Sequence, residues 1–209
     1  MNYGGLHLSE EPTYPIVEIF HSIQGEGYHT GRPSVFIRFG GCNLRCSWCD
    51  TDFDTWERMT MQDVISATVA FDCKNIIYTG GEPALQQLGP LSESLRKHGC
   101  NLSIETNGTI ALQQGIVDWI CVSPKQQVEE KAVVKQMKGD ELKVVYVGQP
   151  LGMYDELVPG FDHLFLQPCY DEARSIEENG RLFHSTCEVV KNEPSWRLSL
   201  QTHKWMGIE

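Results

Sequence analysis

Val35-Phe36-Ile37-Arg38-Phe39-Gly40-Gly41-Cys42-Asn43-Leu44-Arg45-Cys46-Ser47-Trp48-Cys49-Asp50 joins a strand directly to a cysteine loop. Val35 to Phe39 is built from β-branched and aromatic residues and predicts a strand. Two glycines then release the chain into C-x3-C-x2-C. Three thiolates within eight residues can wrap one metal centre, because two or three intervening residues let the sulfurs converge. Three is the informative count. Structural zinc usually takes four protein ligands, and an electron-transfer 4Fe–4S cluster usually takes four cysteines. A set of three leaves one iron of such a cluster open to a small molecule. A zinc site completed by a distant His or Cys, or a chance spacing, stands as the alternative.

Outward from this stretch, strand-like runs alternate with turns and helical patterns. Asn75 to Tyr78, Leu102 to Glu105, Trp119 to Val122, Leu142 to Val147 and His163 to Gln167 read as strands, with weaker signals over Ile16 to Phe20 and Trp196 to Gln201. Thr60 with Asp63 makes a capping-box pattern ahead of Val64, Ile65, Ala67 and Thr68 at helical spacing. A second helix is expected from Pro90 to His98, stopped by Gly99, and a third over Ser175 to Lys191 despite Gly180. The links from Glu105 to Trp119 and from Val147 to His163 are short for crossover helices. The expected fold is α/β, a partial barrel of about six parallel strands with reduced helices. In such folds chemistry sits on loops at the carboxyl ends of the strands.

The chain has 209 residues, 41% hydrophobic and 22% charged, which is ordinary globular composition. That length predicts a single domain over residues 1–209, with a short extension over about the first 15. The formal charge of −11 argues against a broad nucleic-acid surface. No apolar run is long enough to span a bilayer, and the start, with Glu10 and Glu11, lacks the pattern of a signal peptide. A cytoplasmic protein is expected, so disulfides are not. Five of the eight cysteines, Cys73, Cys100, Cys121, Cys169 and Cys187, stand singly among apolar residues and read as small buried hydrophobes.

A second motif, Thr79-Gly80-Gly81-Glu82-Pro83, follows the strand Asn75 to Tyr78. Its glycines allow close backbone approach to a ligand, and its carbonyls with Glu82 can accept hydrogen bonds from an ammonium. The cysteine triplet and this turn together resemble the radical S-adenosylmethionine (SAM) superfamily. That resemblance implies a 4Fe–4S cluster whose open iron is chelated by SAM, and a 5′-deoxyadenosyl radical as the oxidant. It also implies that Trp48 covers the cluster.

Further segments narrow the match. They are Ile23-Gln24-Gly25-Glu26-Gly27, Gly31-Arg32-Pro33, Phe36-Ile37-Arg38, Asp50-Thr51, Ile104-Glu105-Thr106-Asn107-Gly108, Val122-Ser123-Pro124-Lys125, Leu166-Gln167-Pro168 and Gln201-Thr202-His203-Lys204. From Ile16 to Glu209 the chain is similar to the 7-carboxy-7-deazaguanine synthase family of queuosine biosynthesis. The resemblance implies conversion of 6-carboxy-5,6,7,8-tetrahydropterin to 7-carboxy-7-deazaguanine with loss of ammonia, by a carbon–nitrogen lyase. Cys42, Cys46 and Cys49 would ligate the cluster and Thr51 would reach Mg²⁺. Ile23, Gln24, Gly25, Arg38, Thr79 and the terminal carboxylate of Glu209 would contact the pterin. Gly81, Glu82, Glu105, Asn107, Ser123, Pro124 and Lys125 would lie around SAM, with Gln167, Pro168, Cys169 and Tyr170 as a further ligand loop. A flavodoxin- or ferredoxin-type electron donor and a homodimer are implied in the same way.

The residues support several of these roles independently. The planar fork of Arg38 suits a substrate carboxylate, Gln24 offers a donor and an acceptor to a base-like ring, and Lys125 can neutralise the SAM carboxylate. Thr51 beside Asp50 offers hard oxygen to Mg²⁺. Asp52 and Asp54 compete for that role, and Pro-Cys-Tyr-Asp in the Gln167 loop departs from the family pattern. His203 reads as structural or substrate-side. Rival readings are a glycyl-radical-enzyme activase, which would not need the Gln24 and Arg38 segments, and a non-catalytic iron–sulfur or zinc protein.

Overall fold

The computed structural model describes residues 11–127, 129, 131–171 and 173–208. Nine strands form one sheet: β1 (Thr13–Ile23), β2 (Pro33–Phe39), β3 (Glu57–Thr60), β4 (Asn75–Gly80), β5 (Asn101–Thr106), β6 (Trp119–Val122), β7 (Gly139–Tyr146), β8 (Phe161–Pro168) and β9 (Trp196–Leu198). Their order is β3-β1-β2-β4-β5-β6-β7-β8-β9. From β2 onward every neighbouring pair is parallel, while β1 is antiparallel to both β2 and β3. The parallel run is thus seven strands, one more than expected, because Trp196–Leu198 adds itself to β8.

Among the described residues four α-helices accompany the sheet: α1 (Met61–Val69), α2 (Leu88–Lys97), α3 (Ile176–Asn192) and α4 (Thr202–Met206). Thr60 caps α1 by accepting from the Asp63 amide, as its sequence pattern predicts. Ser175 and Glu178 form a reciprocal capping box on α3, which starts the helix firmly enough to carry Gly180. Between β5 and β6 no helix is present among the described residues, and between β7 and β8 only single 3₁₀ turns intervene. The reduced helices follow from the short connections.

Several boundaries differ from expectation. β1 begins at Thr13, so the amino-terminal extension is shorter than about 15 residues in its described part, and Pro12 accepts a hydrogen bond from the Met61 amide. β3 had no sequence signal, since it is a four-residue edge strand carrying Glu57 and Arg58. The run from Trp196 stops at Leu198, and Gln201 instead starts α4.

Strand alternation divides the sheet into two faces. One face packs Ile37, Ile76, Tyr78, Leu102 and Ile104 against Val64, Ile65, Leu88, Leu91 and Leu95 of α1 and α2. The other, concave face carries Arg38 beside Thr79 in register, then Glu105, Lys143, and Gln167 beside Val145. Because the strands are parallel, the cysteine loop, the Gly80-Gly81 turn, Asn107, Ser123 to Lys125 and Pro168 to Tyr170 all leave the sheet at the same edge. Among the described residues no helix is long and apolar enough to cross a membrane.

Candidate active site

One cavity of about 740 Å³ opens on the concave face and the carboxyl edge of the strands. Cys42, Cys46, Cys49 and Trp48 line one end of it, together with Gly81, Asn107, Ser123 and Lys125. Ile23, Gln24, Gly25, Arg38, Thr51, Thr79 and Glu105 line it as well, as do Gln167, Pro168, Cys169 and Tyr170. Segments scattered over some 150 positions of sequence therefore meet around one space.

The cysteine loop is held on both sides. The Asn43 amide donates to the Thr109 hydroxyl at 2.7 Å and accepts from Asn107 Nδ2 at 3.0 Å. The Arg45 amide donates to the Glu129 carboxylate at 2.6 Å, and Leu44 is buried beneath the loop. Gly81 is in contact with the same loop: a Cβ there would lie 1.9 Å from the Gly41 carbonyl oxygen, so only glycine fits. The Glu82 amide donates to that carbonyl at 2.9 Å. Burial raises the thiol pKa of Cys42 and Cys46 in the absence of a metal. Among the described residues no three Cys, His, Asp or Glu side chains gather tightly enough for a single metal ion. Three thiols on one cavity wall suit a 4Fe–4S cluster, whose irons take one thiolate each.

Lys125 sits beside this end of the cavity. Its ammonium donates to the Ser123 carbonyl at 2.6 Å and to the Ser123 hydroxyl at 2.7 Å. Burial lowers its pKa. Its hydrogen-bond partners are both neutral, so a ligand carboxylate would complete its environment. Pro124 between them is buried and does not reach the cavity.

Glu82 is engaged by the protein itself. It is fully buried and points into the protein, accepting from Ala84 N at 2.9 Å, Thr106 Oγ1 at 2.6 Å and Asn107 N at 2.7 Å. Burial raises its pKa against these three donors. Through these bonds the residue fixes Thr106 and Asn107. Glu105 lines the same cavity. Its carboxylate accepts from Gln24 Nε2 at 3.2 Å and from Lys143 Nζ at 2.9 Å, which ties it to the Gln24 segment.

The Arg38 fork is partly engaged by the protein. Its Nε donates to Glu18 at 2.6 Å and its Nη1 to the Thr51 hydroxyl at 3.2 Å, which leaves Nη2 for a carboxylate. A bidentate grip through Nε would require Glu18 to move. Asp52 is occupied in its own turn, accepting from the amides of Asp54 and Thr55. Asp50 pairs with Lys204 at 2.6 Å.

Several lining residues had no assignment from sequence: Glu26, Lys143, Gln201, Phe20 and Phe36. His203 packs on Gly25, where a Cβ would lie 2.1 Å from its Nδ1, and burial lowers its pKa. This places His203 on the cavity wall and explains why the loop needs glycine there. Lys143 escaped notice inside an apolar run, although a lysine between Leu142 and Val144 in a parallel strand is itself a signal. Of the five single cysteines, Cys100, Cys121 and Cys169 are buried, and Cys73 and Cys187 partly so. Glu209 lies outside the described residues.

A family model for the radical SAM superfamily matches residues 36–148, from β2 through β7. A 7-carboxy-7-deazaguanine synthase of Bacteroides thetaiotaomicron is 46% identical over 193 residues, covering 92% of this chain and 97% of that protein. The chain belongs to the 7-carboxy-7-deazaguanine synthase family. A second member, from Neisseria meningitidis, is 39% identical over 205 residues, covering 96% of each chain. The crystal structure of QueE from Escherichia coli superposes with a TM-score of 0.74 at 28% identity, covering 90% of this chain and 93% of that one. As a 7-carboxy-7-deazaguanine synthase family member the protein is a radical SAM lyase, working with a 4Fe–4S cluster and SAM, and the three thiols and Lys125 fit those groups.

Proposed function

We propose that the chain converts 6-carboxy-5,6,7,8-tetrahydropterin to 7-carboxy-7-deazaguanine with loss of ammonia. One observation carries the reading: a single cavity has the three thiols at one end and Gln24, Arg38 and Glu105 within the same walls. The cluster and SAM, when bound, supply a 5′-deoxyadenosyl radical that takes the C6 hydrogen, and Mg²⁺ assists the ring contraction. Cys42, Cys46 and Cys49 hold the cluster, and Lys125 neutralises the SAM carboxylate. Gly81, Asn107 and Ser123 shape the wall against SAM, with Gln167, Pro168, Cys169 and Tyr170 opposite.

The pterin then lies across Ile23, Gln24, Gly25 and Thr79, with its carboxylate on Arg38 Nη2. The Thr51 hydroxyl would be the protein ligand for Mg²⁺, a hard oxygen of the kind this ion takes. The substrate carboxylate also offsets the Arg38 charge beside Thr51. A flavodoxin- or ferredoxin-type protein supplies the electron, the working species is a homodimer, and the compartment is the cytoplasm.

Anaerobic reconstitution with iron and sulfide, followed by turnover with the carboxytetrahydropterin, tests the reading. A deazapurine product and release of ammonia are expected. SAM cleavage with no deazapurine, together with formation of a glycyl radical on a protein partner, would favour an activase instead.

A further inference from the structure

Lys143 lies in the middle of β7 with its side chain 4% exposed. Its ammonium donates to Glu26 Oε2 at 2.6 Å and to Glu105 Oε2 at 2.9 Å. Each carboxylate uses its other oxygen to hold an amide on the cavity wall. Glu105 Oε1 accepts from Gln24 Nε2 at 3.2 Å, and Glu26 Oε1 accepts from Gln201 Nε2 at 2.9 Å. Gln24 Oε1 in turn accepts from the Glu26 amide at 3.1 Å. One buried cation therefore fixes two carboxylates and two amides from three different segments.

The charges around it all come from the concave face. Glu105 approaches from β5, Cys121 from β6, Glu141 from β7 itself and Glu26 from the β1–β2 loop. His203 of α4 and Lys125 stand further out. Burial works against the charged form of Lys143, yet these acidic neighbours hold its pKa well above the usual lysine value. Burial alone would raise the Glu26 carboxyl, but the Lys143 ammonium outweighs it and holds the pKa at about 2.

We propose that Lys143 is a positioning residue for the pterin. It keeps Glu26 and Glu105 ionised side by side, and through them orients Gln24 and Gln201, so that the wall presents an acceptor edge to the N–H groups of an amino-pyrimidine ring. The proposal rests on the function proposed above. Ionised carboxylates accept from ring N–H groups about twice as strongly as neutral acceptors do. Without the ammonium, two facing carboxylates cannot both stay ionised near neutral pH, and one retains a proton.

The test is Lys143→Met in the reconstituted enzyme, with KM for the pterin measured from pH 6 to 8. KM at pH 8 should rise about ten-fold or more, the loss of a charge-assisted hydrogen bond. The cluster spectrum, the SAM dissociation constant and uncoupled SAM cleavage should stay as in the unmodified protein. Lowering the pH to 6 should raise the pterin KM further in this variant only, because one of the two carboxylates then takes up a proton and ceases to be an ionised acceptor. Glu105→Gln added to Lys143→Met should abolish that pH dependence. If Lys143→Met does not fold, Lys143→Gln, which can still donate to one carboxylate, should show the same pH-dependent KM in weaker form. An unchanged KM, or a raised KM with no added pH dependence, overturns the proposal. Absence of deazapurine from the unmodified enzyme overturns the proposed function and this inference together, whereas normal turnover with an unaffected variant sinks the inference alone.

Discussion

The Thr106 hydroxyl donates a 2.6 Å hydrogen bond to the Glu82 carboxylate, so the end of β5 is locked to the turn after β4. The same carboxylate receives the Asn107 amide at 2.7 Å, and Asn107 in turn holds Asn43 of the cysteine loop. Three strand ends are thus registered to one another through one buried acid, and the cysteine loop takes its place from that register.

Removing this acid should loosen the whole edge. Glu82→Ala leaves three donors without their acceptor, costing about 2–4 kcal/mol of stability. Urea denaturation of the metal-free protein measures it, and SAM binding should weaken in parallel as Asn107 shifts. Denaturation within about 0.5 kcal/mol of the unmodified protein would show that water replaces the carboxylate at no cost.

Cys46→Ala should abolish the 4Fe–4S absorbance after reconstitution and with it all SAM cleavage. The thiol is only partly buried, so the fold should persist with a Tm within a few degrees. SAM cleavage by this variant would remove Cys46 from the cluster.

Thr51→Ala should lower turnover and flatten its response to Mg²⁺ while SAM binding is unchanged. Asp52→Asn should act mainly on its own turn, since that carboxylate already caps the amides of Asp54 and Thr55. A larger Mg²⁺ effect from the Asp52 variant would make Asp52 the ligand in place of Thr51.

Glu141 gives a pH prediction with a definite sign. It is 3% exposed, its Oε2 accepts from the Tyr28 amide at 3.2 Å, and its Oε1 has no hydrogen-bond partner among the described residues. Burial raises its pKa from 4.5 to about 7. Between those two values the folded state binds more protons than the unfolded state, so this group's contribution to stability falls as the pH rises through that window. Glu141→Gln should remove that slope and be the more stable form at pH 8, by on the order of 1–3 kcal/mol. Urea melts at pH 5 and pH 8 decide it, and parallel slopes for the two proteins would place the titration elsewhere.

The cysteine spacing, the Gly80-Gly81 turn and the alternation of short strands with weak helices were legible in the sequence because each is a local pattern. C-x3-C-x2-C needs only a few residues to state its chemistry, and capping at Thr60 needs only three. The strand β3 was not legible, because a short charged edge strand has no pattern of its own and exists by pairing with β1. The direction of the Glu82 side chain was not legible for a related reason. The motif specifies which residue follows the glycines, while the direction of its carboxylate depends on Thr106 and Asn107, twenty-four and twenty-five positions away.

The sequence by itself determined the chemistry: three thiols, a glycine turn and the segments shared with the 7-carboxy-7-deazaguanine synthase family. Only the tertiary structure decided which charges meet. Lys143, Glu26 and Glu105 lie on different elements, and nothing local to any of them marks it as a partner of the others. Register and alternation in the parallel sheet turn Glu105 and Lys143 onto one concave face, and the β1–β2 loop brings Glu26 to them, where burial makes a charge tolerable only if its partners arrive with it.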